Sequence, residues 1–118
     1  MVDQRLRRRE RVLDSADFRR AFERRRAVSD AWLVVHGRLN GLDHARLGVT
    51  VPRKVARRAV ARNRIKRLVR EAFRRQKDRF APGVDLIVVP RSAEMTAEQA
   101  RASLAALGPD AARRAGAS

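Results

Sequence analysis

Cysteine is absent from this chain of 118 residues, which excludes disulfides, thiolate metal sites and a thiol nucleophile, and fits a reducing compartment. Carboxylates are missing where hydrolytic chemistry would want them: none lies between Asp43 and Glu71. A nuclease that does its own chemistry gathers several Asp or Glu to hold Mg²⁺ and activate water. A self-contained metal-dependent centre is therefore disfavoured, and no catalytic residue is assigned. His36 and His44 are the only histidines, with neither HxH nor HxxxH spacing, so no metal ligand is assigned either. No apolar run reaches membrane-spanning length, and the arginine-rich start lacks the apolar stretch of a secretory signal. A cytoplasmic protein without a membrane partner is expected.

Cations are plentiful. With 29 Lys+Arg against 13 Asp+Glu the formal net charge is +16, far beyond what solubility requires. All but Lys54, Lys66 and Lys77 of these cations are arginine, whose planar fork binds phosphate oxygens in pairs and stacks on bases. Genome base composition accounts equally well for arginine over lysine. It does not account for the net charge.

The cations are densest around a helical pattern. Ala61, Ile65, Leu68, Val69, Ala72 and Phe73 recur at spacings that gather them into one apolar stripe at 3.6 residues per turn. Arg62, Lys66, Arg70 and Arg74 are successive i+4 steps beside that stripe, and Arg64 and Arg67 stand on its other flank. A helix docked by its apolar face would offer a polyanion a rail of positive charge. Glu71, four residues from both Arg67 and Arg75, reads as a surface ion-pair partner.

Around this helix the chain reads as one small domain. Residues 1–12 form a basic arm, loosely ordered until it meets an anion. Asp14 is a candidate N-cap for a short helix through about Arg25, with Phe18, Ala21 and Phe22 on its apolar face. Residues 32–36 and 47–51 read as two antiparallel strands joined through Asn40-Gly41; alternation puts Trp32, Val34 and His36 on one face of the first. The basic helix extends from about Arg58 to Phe80, and Pro82-Gly83 turns the chain into a buried strand over 85–89. A helix of that length between two strands permits a parallel βαβ crossover. Thr96 with Gln99 matches a capping box, Gly108-Pro109 stops the last helix, and 109–118 is a frayed tail. The order is α-β-β-α-β-α, with the domain over 13–108.

These features do not distinguish RNA from DNA, since there is no zinc finger, RNP-type aromatic motif or GxxG clamp. His36 reads equally well as a base-stacking ring and as an idle strand end. Phe18 and Phe22 read first as core, because a small sheet must be covered by something.

The run Leu47-Gly48-Val49-Thr50-Val51-Pro52-Arg53-Lys54, followed by 59–73 with its Arg62-Asn63-Arg64-x-Lys66-Arg67 core, closely resembles the bacterial ribonuclease P protein component. The similarity extends upstream to Asp17-Phe18-Arg19-Arg20-Ala21-Phe22 and downstream to 85–89, leaving out only the tails. The resemblance implies a ribosomal S5 second-domain-like α/β sandwich with a left-handed βαβ crossover, although right-handed crossovers dominate in general. It also implies a chain without a catalytic centre of its own. A partner RNA, holding most of the Mg²⁺, would hydrolyse precursor tRNA and release the 5′ leader, and no obligate protein partner is expected.

By the same resemblance Arg53, Lys54, Arg62, Asn63, Arg64, Lys66, Arg67 and Arg70 face the catalytic RNA. Phe18, Phe22, Val34, His36 and Thr50, with the Arg62 and Lys66 edge of the helix, line a cleft for the single-stranded leader. That gives Phe18 and Phe22 a part in stacking as well as in the core. Two other readings stand beside this one: a ribosomal or RNA-assembly protein with no role in cleavage, and a protein-only endonuclease, which the missing carboxylate cluster disfavours.

Overall fold

The computed structural model describes residues 8–11 and 27–116. In chain order it contains strands β1 (Ala27–Ser29), β2 (Leu33–Leu39) and β3 (Arg46–Val49), helix α1 (Ala59–Arg74), strand β4 (Val84–Pro90) and helix α2 (Ala97–Ala115). Short 3-10 turns stand at Arg8–Glu10 and Lys77–Arg79. The helix expected between Asp14 and Arg25, with Phe18 and Phe22, lies outside the described residues.

A strand that is apolar at successive positions needs cover on both faces, and β4 has it, with only Val89 not fully buried. It occupies the middle of a mixed sheet of order β1-β2-β4-β3. β2 runs antiparallel to β4, and β3 runs parallel to it. The crossover expected from β3 through α1 into β4 is therefore present. The expected pairing of the first two long strands is not: β2 and β3 run in opposite directions but never touch as neighbours, because the more apolar β4 takes the place between them. β1 was not foreseen. It pairs with β2 through a turn held by Asp30, whose Oδ1 accepts the N–H groups of Trp32 at 2.8 Å and Leu33 at 3.0 Å.

Both helices pack on the sheet face that carries Leu33, Val35, Leu86 and Val88, all 0% exposed. α1 contributes Ile65, Val69, Ala72 and Phe73, most of the stripe read from the sequence. The helix ends at Arg74 rather than Phe80. In a continuous helix Phe73 and Phe80 would stand about 10 Å apart along the axis. Instead Gln76 donates its N–H to the Phe73 carbonyl, the chain turns, and the two rings stack 5.0 Å apart.

α2 opens with the expected capping box of Thr96 and Gln99. It then runs through Gly108-Pro109, where a stop was expected, as far as Ala115. Pro109 removes one ladder bond and crowds the preceding turn. The continuing stripe of Leu104, Leu107, Ala111, Ala112 and Ala115, all buried, outweighs that penalty. Two glycines allow close approach: a Cβ on Gly108 would stand 2.5 Å from the Phe80 ring, and one on Gly37 of β2 would stand 2.4 Å from the Ala111 carbonyl oxygen. The left-handed Gly116, φ 108°, makes the actual stop. Part of the expected tail is thus helix and core.

The basic arm is also placed in part. Arg11 forms a parallel bridge with Leu47 on the open edge of β3, the Lys77 ammonium donates to the Glu10 carboxylate at 3.0 Å, and His44 Nε2 lies 2.9 Å from the Arg9 carbonyl.

Candidate nucleic-acid interface

Because α1 buries its apolar stripe, the cations between its stripe positions face outward. Asn63, Arg64 and Arg67 are exposed, and Arg62, Lys66 and Arg70 half-exposed. Their side chains are used in different ways. Those of Asn63, Lys66 and Arg67 have no hydrogen-bond or ion-pair partner among the described residues. Arg64 donates from Nη2 to the Ala93 carbonyl at 2.7 Å, bracing the β4–α2 loop. Arg62 donates from Nη1 to the carbonyls of Arg57 at 2.6 Å and Ala56 at 3.2 Å, bracing the β3–α1 loop. Burial lowers the pKa of Arg70, and the nearby Arg11 cation lowers it further.

Glu71 pairs with neither Arg67 nor Arg75 alone. Arg74 holds both its carboxylate oxygens, and the Arg75 Nε adds a contact at 3.2 Å. The hydrogen bond from Arg74 leads in lowering the Glu71 pKa to about 2. Arg74, the last step of the expected rail, is thereby neutralised, and the open cations lie toward the start of the helix. Just before that start, Arg53, Lys54 and Arg57 line an open concavity of about 510 Å³. Arg57 was not singled out by the sequence; no pattern in the chain distinguishes it from its neighbours.

The other face of the sheet brings together the rest of the expected cleft. Register pairs Val34 with Val89 and His36 with Ile87, which in turn pairs with Gly48; residues so paired share a face. Thr50, two residues beyond Gly48, belongs to the same face, and its N–H still donates to the Val88 carbonyl at 3.1 Å. Val34, His36 and Thr50 are therefore together, all half-exposed. Arg62 and Lys66 belong to a helix on the opposite face. Burial lowers the His36 pKa, which favours the uncharged ring. Phe18 and Phe22 lie outside the described residues.

One row further along this face the sequence concealed a charge cluster. Asp85, 0% exposed, accepts from Arg46 Nε and Nη2, both at 2.7 Å, from Asn40 Nδ2 at 2.8 Å and from Arg38 Nη1 at 3.4 Å. Register sets Asp85 beside Arg38 on one side and Arg46 on the other. Among the described residues no three of His, Asp and Glu gather as metal ligands.

Fold and site together define a small basic α/β domain with a cationic helix face turned toward solvent. A family model described as Ribonuclease P matches residues 6–110. The ribonuclease P protein component of Chromobacterium violaceum is 46% identical over 103 residues, covering 87% of this chain and 84% of the relative. That of Thermotoga maritima is 44% identical over 84 residues, 71% of each chain. Among solved structures, the RNase P protein from Thermotoga maritima superposes with a TM-score of 0.76 at 34% identity, covering 86% of this chain and 96% of that one. The Staphylococcus aureus RNase P protein gives 0.73 at 36% identity, covering 83% and 91%. The chain belongs to the ribonuclease P protein family.

Proposed function

We propose that this chain is the protein subunit of a ribonucleoprotein that matures the 5′ end of tRNA. It binds the catalytic RNA and the 5′ leader of precursor tRNA, and assists hydrolysis carried out by an RNA that holds the Mg²⁺. The reading places the chain in the cytoplasm and asks for no protein partner. The observation that carries it is the stretch from Arg53 to Arg67, in a member of this family, where outward cations meet backbone carbonyls or solvent and no carboxylate intervenes. Such a surface favours phosphate by counterion release and electrostatic steering.

In this reading the leader lies along the sheet face of Val34, His36 and Thr50, with Phe18 and Phe22 as further stacking surfaces. Single-stranded RNA is commonly held by stacking its bases on rings of this kind. Arg53, Lys54, Asn63, Arg64, Lys66, Arg67 and Arg70 face the catalytic RNA.

Reconstitution tests the whole reading. The chain is mixed with a bacterial ribonuclease P RNA and a precursor tRNA at low Mg²⁺. Leader removal that needs both components is the expected result. Cleavage by the protein alone would instead indicate a protein nuclease, and absence of any stimulation would leave an RNA-assembly role.

A further inference from the structure

Arg62 is the first arginine of the motif, and its position alone suggests a direct contact with RNA. Its guanidinium points elsewhere. Nη1 reaches back to the carbonyls of Arg57 and Ala56, at 2.6 and 3.2 Å. These carbonyls precede α1, whose own ladder begins with the Arg62 N–H on the Arg58 carbonyl. Without Arg62 they have no helical donor; the Arg57 carbonyl is open to water, but the Ala56 carbonyl lies in a partly buried site, where a backbone acceptor needs a partner.

The loop so held is tightly turned. The Pro52 carbonyl accepts the N–H groups of Val55 at 3.0 Å and Ala56 at 3.2 Å. Ala56 is buried and Val55 packs on the edge of the core. With those two residues turned inward, Arg53, Lys54 and Arg57 turn outward and line one concavity of about 510 Å³. Three like charges gathered around one hollow repel each other, so something must hold the hollow's shape until an anion arrives.

We propose that Arg62 serves RNA binding from behind, as the positioning residue that keeps the 52–58 loop folded so that Arg53, Lys54 and Arg57 converge on a site for RNA backbone phosphate. This rests on the function proposed above and deepens it. Arg57 joins the binding surface, and Arg62 acts through the loop rather than on the RNA. The phosphate can belong to the catalytic RNA or to the precursor tRNA.

The test uses the full chain and salt titrations in two arms. One arm measures affinity for a bacterial ribonuclease P RNA alone, the other affinity of the reconstituted holoenzyme for precursor tRNA. The variants are Arg62→Met, which keeps the apolar stem and removes the donors, the combined Arg53→Ala, Lys54→Ala and Arg57→Ala, and all four together. The combined variant should flatten the slope of log K against log[salt] by about 2 to 3 units, at roughly 0.7 to 0.9 per phosphate contact. It should do so in the arm whose RNA supplies the phosphate.

Arg62→Met alone should flatten that slope by more than a single contact can, and should add nothing to the combined variant. Amide exchange at Val55 and Ala56 should quicken while the unfolding midpoint holds. If Arg62→Met does not fold, Arg62→Lys enters the same cycle with the same expected non-additivity. A loss of one contact or less at Arg62 that adds fully to the combined variant overturns the proposal and makes Arg62 a direct phosphate ligand. An unchanged slope for the combined variant in both arms removes the phosphate site itself. If the unaltered chain binds neither RNA, the proposed function falls, and this inference with it.

Discussion

Arginine has opposite surroundings in two parts of this molecule. In the part built from β2, β3 and β4, with α2 beneath them, Arg38 and Arg46 close on Asp85, whose side chain is fully buried between them. On α1 and the loop before it, the cations from Arg53 to Arg67 meet carbonyls or solvent. The first arrangement neutralises charge inside the fold. The second keeps it available at the surface, so composition counts the arginines without saying which of them are open to an anion. Substitutions in the packed part should change stability and leave the salt dependence of binding alone. Those on the α1 side should do the reverse.

The harshest test of that division is Asp85→Asn. It leaves two guanidinium groups facing each other across a buried amide. Removing one partner of a buried ion pair costs about 3 to 5 kcal/mol, and the lower end is expected because Arg38 and Arg46 keep 14% and 17% of their side-chain surface exposed. Denaturant unfolding measures the loss. An unstable Asp85→Asn chain whose folded fraction binds RNA with an unaltered salt slope upholds the comparison. A steeper slope would mean that Arg38 and Arg46 join the interface and that the two regions are not separate.

Gly37→Ala comes next. The new methyl would meet the Ala111 carbonyl oxygen, which is helix backbone and cannot swing aside. Overpacking of this kind costs about 1 to 3 kcal/mol. It also probes the turn of α2 beyond Pro109, because Gly37 would be indifferent to alanine if the helix ended where local rules put its stop. Thermal unfolding of the single variant distinguishes the two.

Asp30 gives a smaller effect with a pH signature. Burial alone would raise the pKa of its carboxyl. The Ser103 hydroxyl, the Leu33 and Trp32 amides and the Arg91 guanidinium together overcome this and hold it below the ordinary aspartate value. A carboxyl depressed in the folded state contributes stability above the unfolded-state pKa, and that contribution is lost as pH falls through the folded value. Asp30→Asn should therefore cost about 1 to 2 kcal/mol near neutrality and converge on the unaltered chain in acid. Parallel stability curves at every pH would show that the charge of Asp30 plays no part.

The sequence carried much of this design wherever the cause was local. α1 was legible because its stripe and its cations alternate within single turns, and the Thr96 and Gln99 box because its partners are three residues apart. β4 announced its burial by lacking polar alternation. What stayed hidden depends on distant partners. The insertion of β4 between β2 and β3 is a choice among pairings, and nothing near Trp32 or Leu47 records it. The Asp85 cluster joins residues from three strands, and no local pattern links Arg38, Arg46 and Asp85. Local rules failed outright at Pro109, where burial of Ala111, Ala112 and Ala115 prevails over the backbone signal. The candidate site divides in the same way: the sequence shows a run of cations, but that Arg62 braces a loop while Arg67 faces solvent is not distinguishable until the guanidinium partners are seen.

Glu71 offers the gentlest perturbation and the sharpest view of the boundary. It is the first carboxylate after the long acid-free stretch, and it ties down Arg74 and Arg75 at the far end of α1. Glu71→Gln should change stability by less than about 1 kcal/mol, since exposed pairs contribute little. Glu71 then no longer offsets the charge of Arg74 and Arg75 next to the open rail. If RNA passes along that end of the helix, the salt slope steepens by up to about 2 units, at somewhat under one per added phosphate contact. Because its pKa lies near 2, Glu71 stays ionised at any working pH, and acidification cannot mimic the substitution. An unchanged slope would end the interface before Arg74 and confine RNA binding to the first turns of α1 and the loop that Arg62 holds.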